Sequence, residues 1–408
     1  MEKRVVITGL GIYSCLGKNL EEVRDSLYAG ASGIVFDSGR KASGFRSGLT
    51  AHIEVPDLKG ILSRNERVFM PEQAKYAYVA TLEALRSAGM DPDYLDRHEV
   101  GLMYGNDSSV DPTVKCVDIF REKGDSRLIG SGGIFQSMNS TVTMNLGCLF
   151  KLKGINLTVS GACASGSHAI GLGALLIRNG LQEAVICGGA QEVNAWSVCS
   201  FDGISAFSVR EDSPQRASRP FDRDRDGLVP GGGAATVILE SYDSAVKRGA
   251  PILAEVLGYG FSGNGDHISN PNVDGPTRSL HMAIAQAGIN LSSIGYINAH
   301  ATSTPVGDTN EAKAIHNVFG YHRPEVTSTK SQTGHEMWMA GASEVIYSML
   351  MMKNGFIAPN LNFENPDEDS ARLNIPDKRV EKRFDTFLSN SFGFGGTNST
   401  LIVKNLNK

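Results

Sequence analysis

No stretch of the 408-residue sequence approaches the about 18 uninterrupted apolar residues of a membrane span, so a membrane protein of helical type is not expected. Glycines break the apolar run of the opening MEKRVVITGLGIYSCLG at once, which leaves neither the long hydrophobic region nor the cleavage site of a signal peptide. The six cysteines (15, 116, 148, 163, 187 and 199) show no CxxC spacing and no paired rhythm. That excludes a zinc site and a disulfide framework, and points to a reducing cytoplasm. An excess of basic charge is missing too: 39 Lys plus Arg stand against 44 Asp plus Glu, a net charge of -5, so nucleic acid is not expected as a main partner. Prolines number only 15 against 46 glycines, and no low-complexity segment or charge block interrupts a chain that is 41% hydrophobic. Such a chain buries a substantial core.

What is present alternates. VVITG reads as a buried strand and NLEEVRDSLYAG as a helix. EQAKYAYVATLEALRSAGM is a long helical pattern, EVGLMYGN a strand, GINLTVSGACASGSHAIGLGALLIRNG a strand feeding a helix, and EAVICGGAQE another strand. From about residue 251 the pattern restarts: the strand PILAEVLGYGFSGNG, the helix TRSLHMAIAQAGI, the strand IGYINAHAT, and the helices NEAKAIHNVFG and SEVIYSMLMMKNG. The class is α/β. Two halves of similar element order, 1–250 and 251–408, with no Pro/Ser/Gly-rich linker between them, suggest one layered domain with a pseudo-twofold axis.

Five constellations carry candidate chemistry. GLG at Gly9 to Gly11 invites a dinucleotide reading, but Ser14 stands where the third glycine of GxGxxG belongs, and a structural turn is the better reading. Cys163 falls between an apolar strand and an apolar helix among small residues, where the helix dipole favours thiolate, the setting of a nucleophile. A buried core cysteine is the competing reading, and the better one for the other five. His300 and His335 each lie just past an apolar stretch in a polar loop, so they either converge on one pocket or serve singly as hydrogen-bonded structural residues. Neither has a third ligand at useful spacing, so no metal is expected. His168, on the helix after Cys163, reads as structural. The loop in LSNSFGFGGTNSTLIV, with glycines 393, 395 and 396, can aim amides at an oxyanion or make a tight turn.

Taken in order and spacing, SGACASGSHAIG, NAHATSTPVGD, STKSQTGHEMWMAGASE and SNSFGFGGTN resemble the elongating β-ketoacyl-acyl carrier protein synthases of the thiolase superfamily, closest to the type I/II bacterial condensing enzymes. The resemblance runs from ITGLGI to the last strand. It implies a thiolase-like layered αβαβα fold and a Cys-His-His triad at Cys163, His300 and His335, which favours elongation over initiation. Cys163 would hold the acyl chain, and its amide with that of Phe394 would form the oxyanion hole. His300 and His335 would stabilise the enolate left when malonyl-carrier loses CO2. The resemblance further implies an electrostatic role for Lys330, a buried supporting Glu344, phosphopantetheine-binding hydroxyls at Thr302 and Thr304, and a gating role for Phe394. Arg64, Arg67, Arg121, Lys123 and Arg127 correspond to the docking patch for acyl carrier protein; singly, each is as well read as a solvated charge. No cofactor is implied beyond the carrier's phosphopantetheine.

Three departures bear on substrate. HGTST of the family is HATST here, with Ala301. The small residues usual after the second histidine are replaced by Glu336, Met337, Trp338 and Met339. GNDSSVD near Gly105 is more acidic than its counterpart, and Phe207 replaces a smaller aliphatic residue. Phe201, Phe207 and Trp338 are therefore the acyl-pocket candidates, and a polyene or polyketide pathway stands beside fatty-acid synthesis. Trp338 either crowds the approach to Cys163 or points into the core. The family works as a homodimer, with SGGIFQSMNSTVTMNLGCLF (131–150) expected at the interface; a heterodimer with a related subunit is the other arrangement. The competing functional class is a non-catalytic chain-length partner subunit, which lacks the nucleophilic cysteine; a dehydrogenase ranks below it.

Overall fold

The computed structural model describes residues 2–406. Its main sheet has ten strands in the spatial order Glu325–Thr327, Tyr296–Asn298, Thr386–Gly393, Thr397–Lys404, Ala254–Gly263, Val5–Tyr13, Gly233–Ser241, Ala184–Gln191, Val100–Gly105, Asn156–Val159. The order is a palindrome of two five-stranded halves. In each half three parallel strands are followed by two antiparallel ones. The halves meet only where Val6 and Ile7 pair with Glu255 and Ala254.

Alternation along the strands separates the layers. Val237 and Leu239 enter one core with Leu401 and Val403, whereas Ile238 and Ile402 turn to two different outer cores. The shared core holds two helices, Ser165–Arg178 and Ala340–Asn354, and every residue from Ala340 to Met352 is buried. Helix Glu72–Ala88 covers the outer face of the first half, and Asp274–Ala287 that of the second. The result is the layered αβαβα arrangement. Burial on both faces explains why the strands read as nearly continuous apolar runs.

Two central helices can approach closely because each carries glycine at its second position. A Cβ at Gly341 would lie 2.5 Å from Ser167 N, and one at Gly166 would lie 3.0 Å from Trp338 O. The sequence reading of Gly9 to Gly11 as a turn needs correction. Both glycines lie inside strand Val5–Tyr13, where a Cβ at Gly11 would come within 2.0 Å of Ala80 O. They serve close helix-on-strand packing. No described helix is long and apolar enough to cross a membrane.

Candidate active site

Strand Asn156–Val159 delivers the chain to a 3-10 turn, Ala162–Ala164, that heads helix Ser165–Arg178. Ala162 sits at φ 47°, a left-handed conformation costly for a side-chain-bearing residue. The Ser165 hydroxyl holds the bend, accepting from Gly161 N–H (2.9 Å) and donating to Ala162 O (2.6 Å). Cys163 is thereby lifted to the wall of a cavity of about 440 Å³. Its ionisation differs from the sequence expectation. Burial outweighs the helix-end setting and pushes the thiol up to about 12, while the Lys330 ammonium pulls it down and Asp107 pushes it up.

His300 follows strand Tyr296–Asn298 in a loop whose amides are taken up by two buried carboxylates. Glu311 accepts from the N–H of His300 (2.9 Å) and Ala301 (2.6 Å). Asp308 accepts from those of Thr302 (3.0 Å), Ser303 (3.2 Å) and Thr304 (3.2 Å). Desolvation raises these acids to about 7 and about 6 respectively. Ala301 is not among the residues at positive φ, so replacing the family's glycine strains nothing here. Sequence reading did not single out Asp308 and Glu311 for this task; the available signal was two acids three residues apart on a helix, Pro305–Phe319, that is otherwise apolar on that face.

His335 is pinned through its backbone, donating from N–H to Val229 O (2.7 Å) and accepting from Gly231 N–H (2.8 Å). Its ring meets that of His300 edge to face, centroids 5.4 Å apart at 85°. Burial, then the nearby Lys330 charge, holds both imidazoles well below their usual range, so both are neutral at physiological pH. Lys330 is fully buried and ion-paired with Glu344, whose carboxyl burial pushes up against the pull of the lysine. His168 donates or accepts at both ring nitrogens, to Tyr259 OH (2.7 Å) and Thr397 Oγ1 (2.8 Å), and stands apart from the cavity.

Cys163, His300, His335, Thr302, Thr304, Phe201 and Phe394 share the cavity wall, and the two threonine hydroxyls lie 3.0 Å apart. Lys330 and Glu344 stand behind the histidines. Phe394 is partly exposed at the mouth; Gly395 N–H next to it donates to Ile268 O (2.7 Å) on the opposite lip. Its ring stacks on Phe201, and Phe201 on Phe207 (6.0 and 6.4 Å). Phe207 and Trp338 form a layer behind Phe201 and are absent from the cavity wall. The indole N–H of Trp338 donates to Ser108 Oγ (3.2 Å).

The basic residues fall on one side of the molecule. Arg64, Arg121, Lys123 and Arg127 are exposed, and Arg67 is half-buried. Gln136, donating to Val68 O (2.7 Å), and the Phe69–Phe135 ring contact join the two stretches. Arg127 is bound by Asp125 (2.6 Å), and Arg121 lies 4.0 Å from Asp118.

Comparison with known proteins agrees with this geometry. Residues 2–245 match the family described as beta-ketoacyl synthase, N-terminal domain, and residues 253–364 match its C-terminal domain. The chain is 40% identical over 407 residues to the 3-oxoacyl-[acyl-carrier-protein] synthase 1 of Escherichia coli K12, covering 99% of each. It superposes on a beta-ketoacyl synthase from Burkholderia phymatum with a TM-score of 0.95 at 34% identity, covering 99% of this chain and 100% of that one. On the ishigamide ketosynthase/chain length factor the TM-score is 0.91 at 30% identity, with both chains fully covered. With a cysteine and two neutral histidines gathered at one cavity of a layered αβαβα fold, and both family domains matched in order, the chain belongs to the beta-ketoacyl synthase family of acyltransferases.

Proposed function

We propose that this enzyme lengthens an acyl chain by two carbons through decarboxylative Claisen condensation, with Cys163 holding the acyl group and malonyl-acyl carrier protein as extender. The observation that carries the reading is the convergence of Cys163, His300 and His335 on one cavity, with Thr302, Thr304 and Phe394 in its walls. Cys163 Sγ attacks the acyl thioester; the new S–C bond forms as the carrier's sulfur leaves with the thiol proton, passed through a neutral imidazole. The tetrahedral oxyanion is met by the N–H groups of Cys163 and Phe394. In the second half-reaction the bond from malonyl carbon to its carboxylate breaks, CO2 departs, and the electron pair becomes an enolate. The enolate oxygen accepts from His300 and His335. Its carbon then attacks the acyl-Cys163 thioester, a C–C bond forms, and Cys163 leaves as a thiolate that takes one proton.

A thiol pushed up to about 12 suits this cycle, because such a thiolate reclaims its proton readily after each turnover. Lys330, buried and paired to Glu344, supplies positive potential at the thiolate and enolate stages. Thr302 and Thr304 bind the pantetheine arm, and no other cofactor enters. Residues 1–250 form the half that supplies the nucleophile, and 251–408 the half that supplies both histidines. Arg64, Arg67, Arg121, Lys123 and Arg127 receive the acidic carrier. A homodimer forms through segment 131–150, where Ile134, Phe135 and Met138 are exposed, and a related subunit is the alternative partner. The reading as a non-catalytic chain-length subunit draws nothing from the site, since a cysteine lines the cavity. The test is incubation with acyl- and malonyl-carrier protein. A 3-oxoacyl product formed with one CO2 per turnover supports the reading; malonyl-carrier left intact overturns it.

A further inference from the structure

Glu336 follows His335 directly, where the family resemblance leads one to expect a small residue, and the reaction described above makes no use of it. Its side chain is 1% exposed. Both carboxylate oxygens are engaged by hydroxyls of helix Ala340–Asn354: Oε1 accepts from Tyr347 OH (2.8 Å) and Oε2 from Ser343 Oγ (2.5 Å). Ser343 and Tyr347 are four residues apart, so they present both donors on one helix face. On the chain side, Glu336 opens the strained 3-10 turn Met337–Met339, with Met337 at φ 46°, and its carbonyl accepts Met339 N–H (3.0 Å). Only an anion accepts from both hydroxyls at once; a neutral amide or acid brings a donor to one of them.

We propose that Glu336 is a positioning residue for the condensation, its carboxylate acting as an anionic clasp that fixes the turn between His335 and Trp338 to the buried helix. The clasp holds the imidazole where the enolate oxygen develops, and a misplacement there costs about 100-fold per ångström-scale shift. It is sensitive to protonation. The groups facing it are Lys330, which favours the anion, and Ser343 and Tyr347, which bond it; its charge in turn acts on Glu344 and Cys15. Burial raises its carboxyl to about 7. When the carboxyl gains its proton, Ser343 Oγ is left with Ala340 O (3.0 Å) as acceptor and the clasp loosens.

This inference rests on the condensation reading, so the experiment separates the two. Cys163 acylation and malonyl-carrier decarboxylation are followed separately across pH in the wild type, Glu336→Gln and Tyr347→Phe, with thermal unfolding alongside. Wild-type protein lacking both half-reactions would defeat the reading itself. With an active wild type, the clasp requires that Glu336→Gln lose about 10- to 100-fold in decarboxylation, keep acylation within about two-fold, and lose the acid limb near neutrality. Tyr347→Phe, which leaves the loop sequence intact, should shift that limb upward. A variant pair with the wild-type profile, or with both half-reactions falling together at unchanged pH dependence, would overturn the clasp.

Discussion

Trp338 stands in the second half where Cys163 stands in the first. Each is the central residue of a 3-10 turn heading a central helix, and each follows a residue in the left-handed region, Met337 at φ 46° and Ala162 at φ 47°. The fold therefore builds two matching bends, and one carries the nucleophile while the other carries an indole packed on Phe201.

That placement makes Trp338 a backing wall for the acyl site. Trp338→Ala should cost about 3–5 kcal/mol of stability, the usual range for emptying a buried aromatic position. It should also extend the accepted acyl length, because Phe201 loses its support. Competition among carrier-bound acyl groups of graded length and unsaturation, read by mass spectrometry, checks this; an unchanged length profile would show that Trp338 does not shape the site.

For the histidines, His300→Ala and His335→Ala should each slow decarboxylation by about 10²–10³, the usual loss for one oxyanion-type donor. Acylation of Cys163 should suffer less, since the backbone amides serve that step. Separate rates for the two half-reactions provide the check.

Lys330 bears on the thiol itself. Its charge lowers the Cys163 pKa from an otherwise higher value, so Lys330→Met moves that pKa further up and leaves less thiolate at any given pH. Alkylation by iodoacetamide should therefore be slower in the variant at about pH 8, and should still be rising into the alkaline range in the wild type. Equal rates in the two proteins would remove Lys330 from the nucleophile's environment.

Among the basic residues the ion pairs make a distinction the sequence did not. Arg127 and Arg121 have acidic neighbours within their own segment, whereas no ion pair is seen for Arg64 or Arg67. Charge reversal at Arg64 and Arg67 should raise the apparent KM for carrier-bound substrates and reduce its salt dependence, with small thioesters unaffected. Reversal at Arg127 should do less. Steady-state kinetics at two ionic strengths decide between them.

Strands such as Val5–Tyr13 and Ala184–Gln191, and the helix Glu72–Ala88, were legible because burial imposes periodic or continuous apolar patterns on a single segment. Strand Gly233–Ser241 went unread, as did helices Val110–Lys123 and Ala195–Gly203. The strand begins among glycines that mask its start. The helix at Val110 leaves Val117 and Phe120 exposed, so its apolar residues follow no core of this chain. At the site, Cys163, His300 and His335 were visible as residue types set in small-residue loops. Their ionisation was not, because desolvation comes from the layers packed around them: the helix end suggested a thiolate at Cys163, and burial reversed it. Glu311 and Asp308 were hidden for a related reason. Their work is to accept backbone amides of a loop that lies next to them only in the folded chain.

The assignment of Cys163 as acyl acceptor is tested most directly by intact-mass measurement after mixing the protein with acyl-carrier protein in the absence of malonyl-carrier. One acyl adduct per chain is expected, mapped by peptide analysis to Cys163, absent in Cys163→Ala, and discharged when malonyl-carrier is added. An adduct that persists in Cys163→Ala, or a wild-type chain that stays unmodified while product forms, would contradict it.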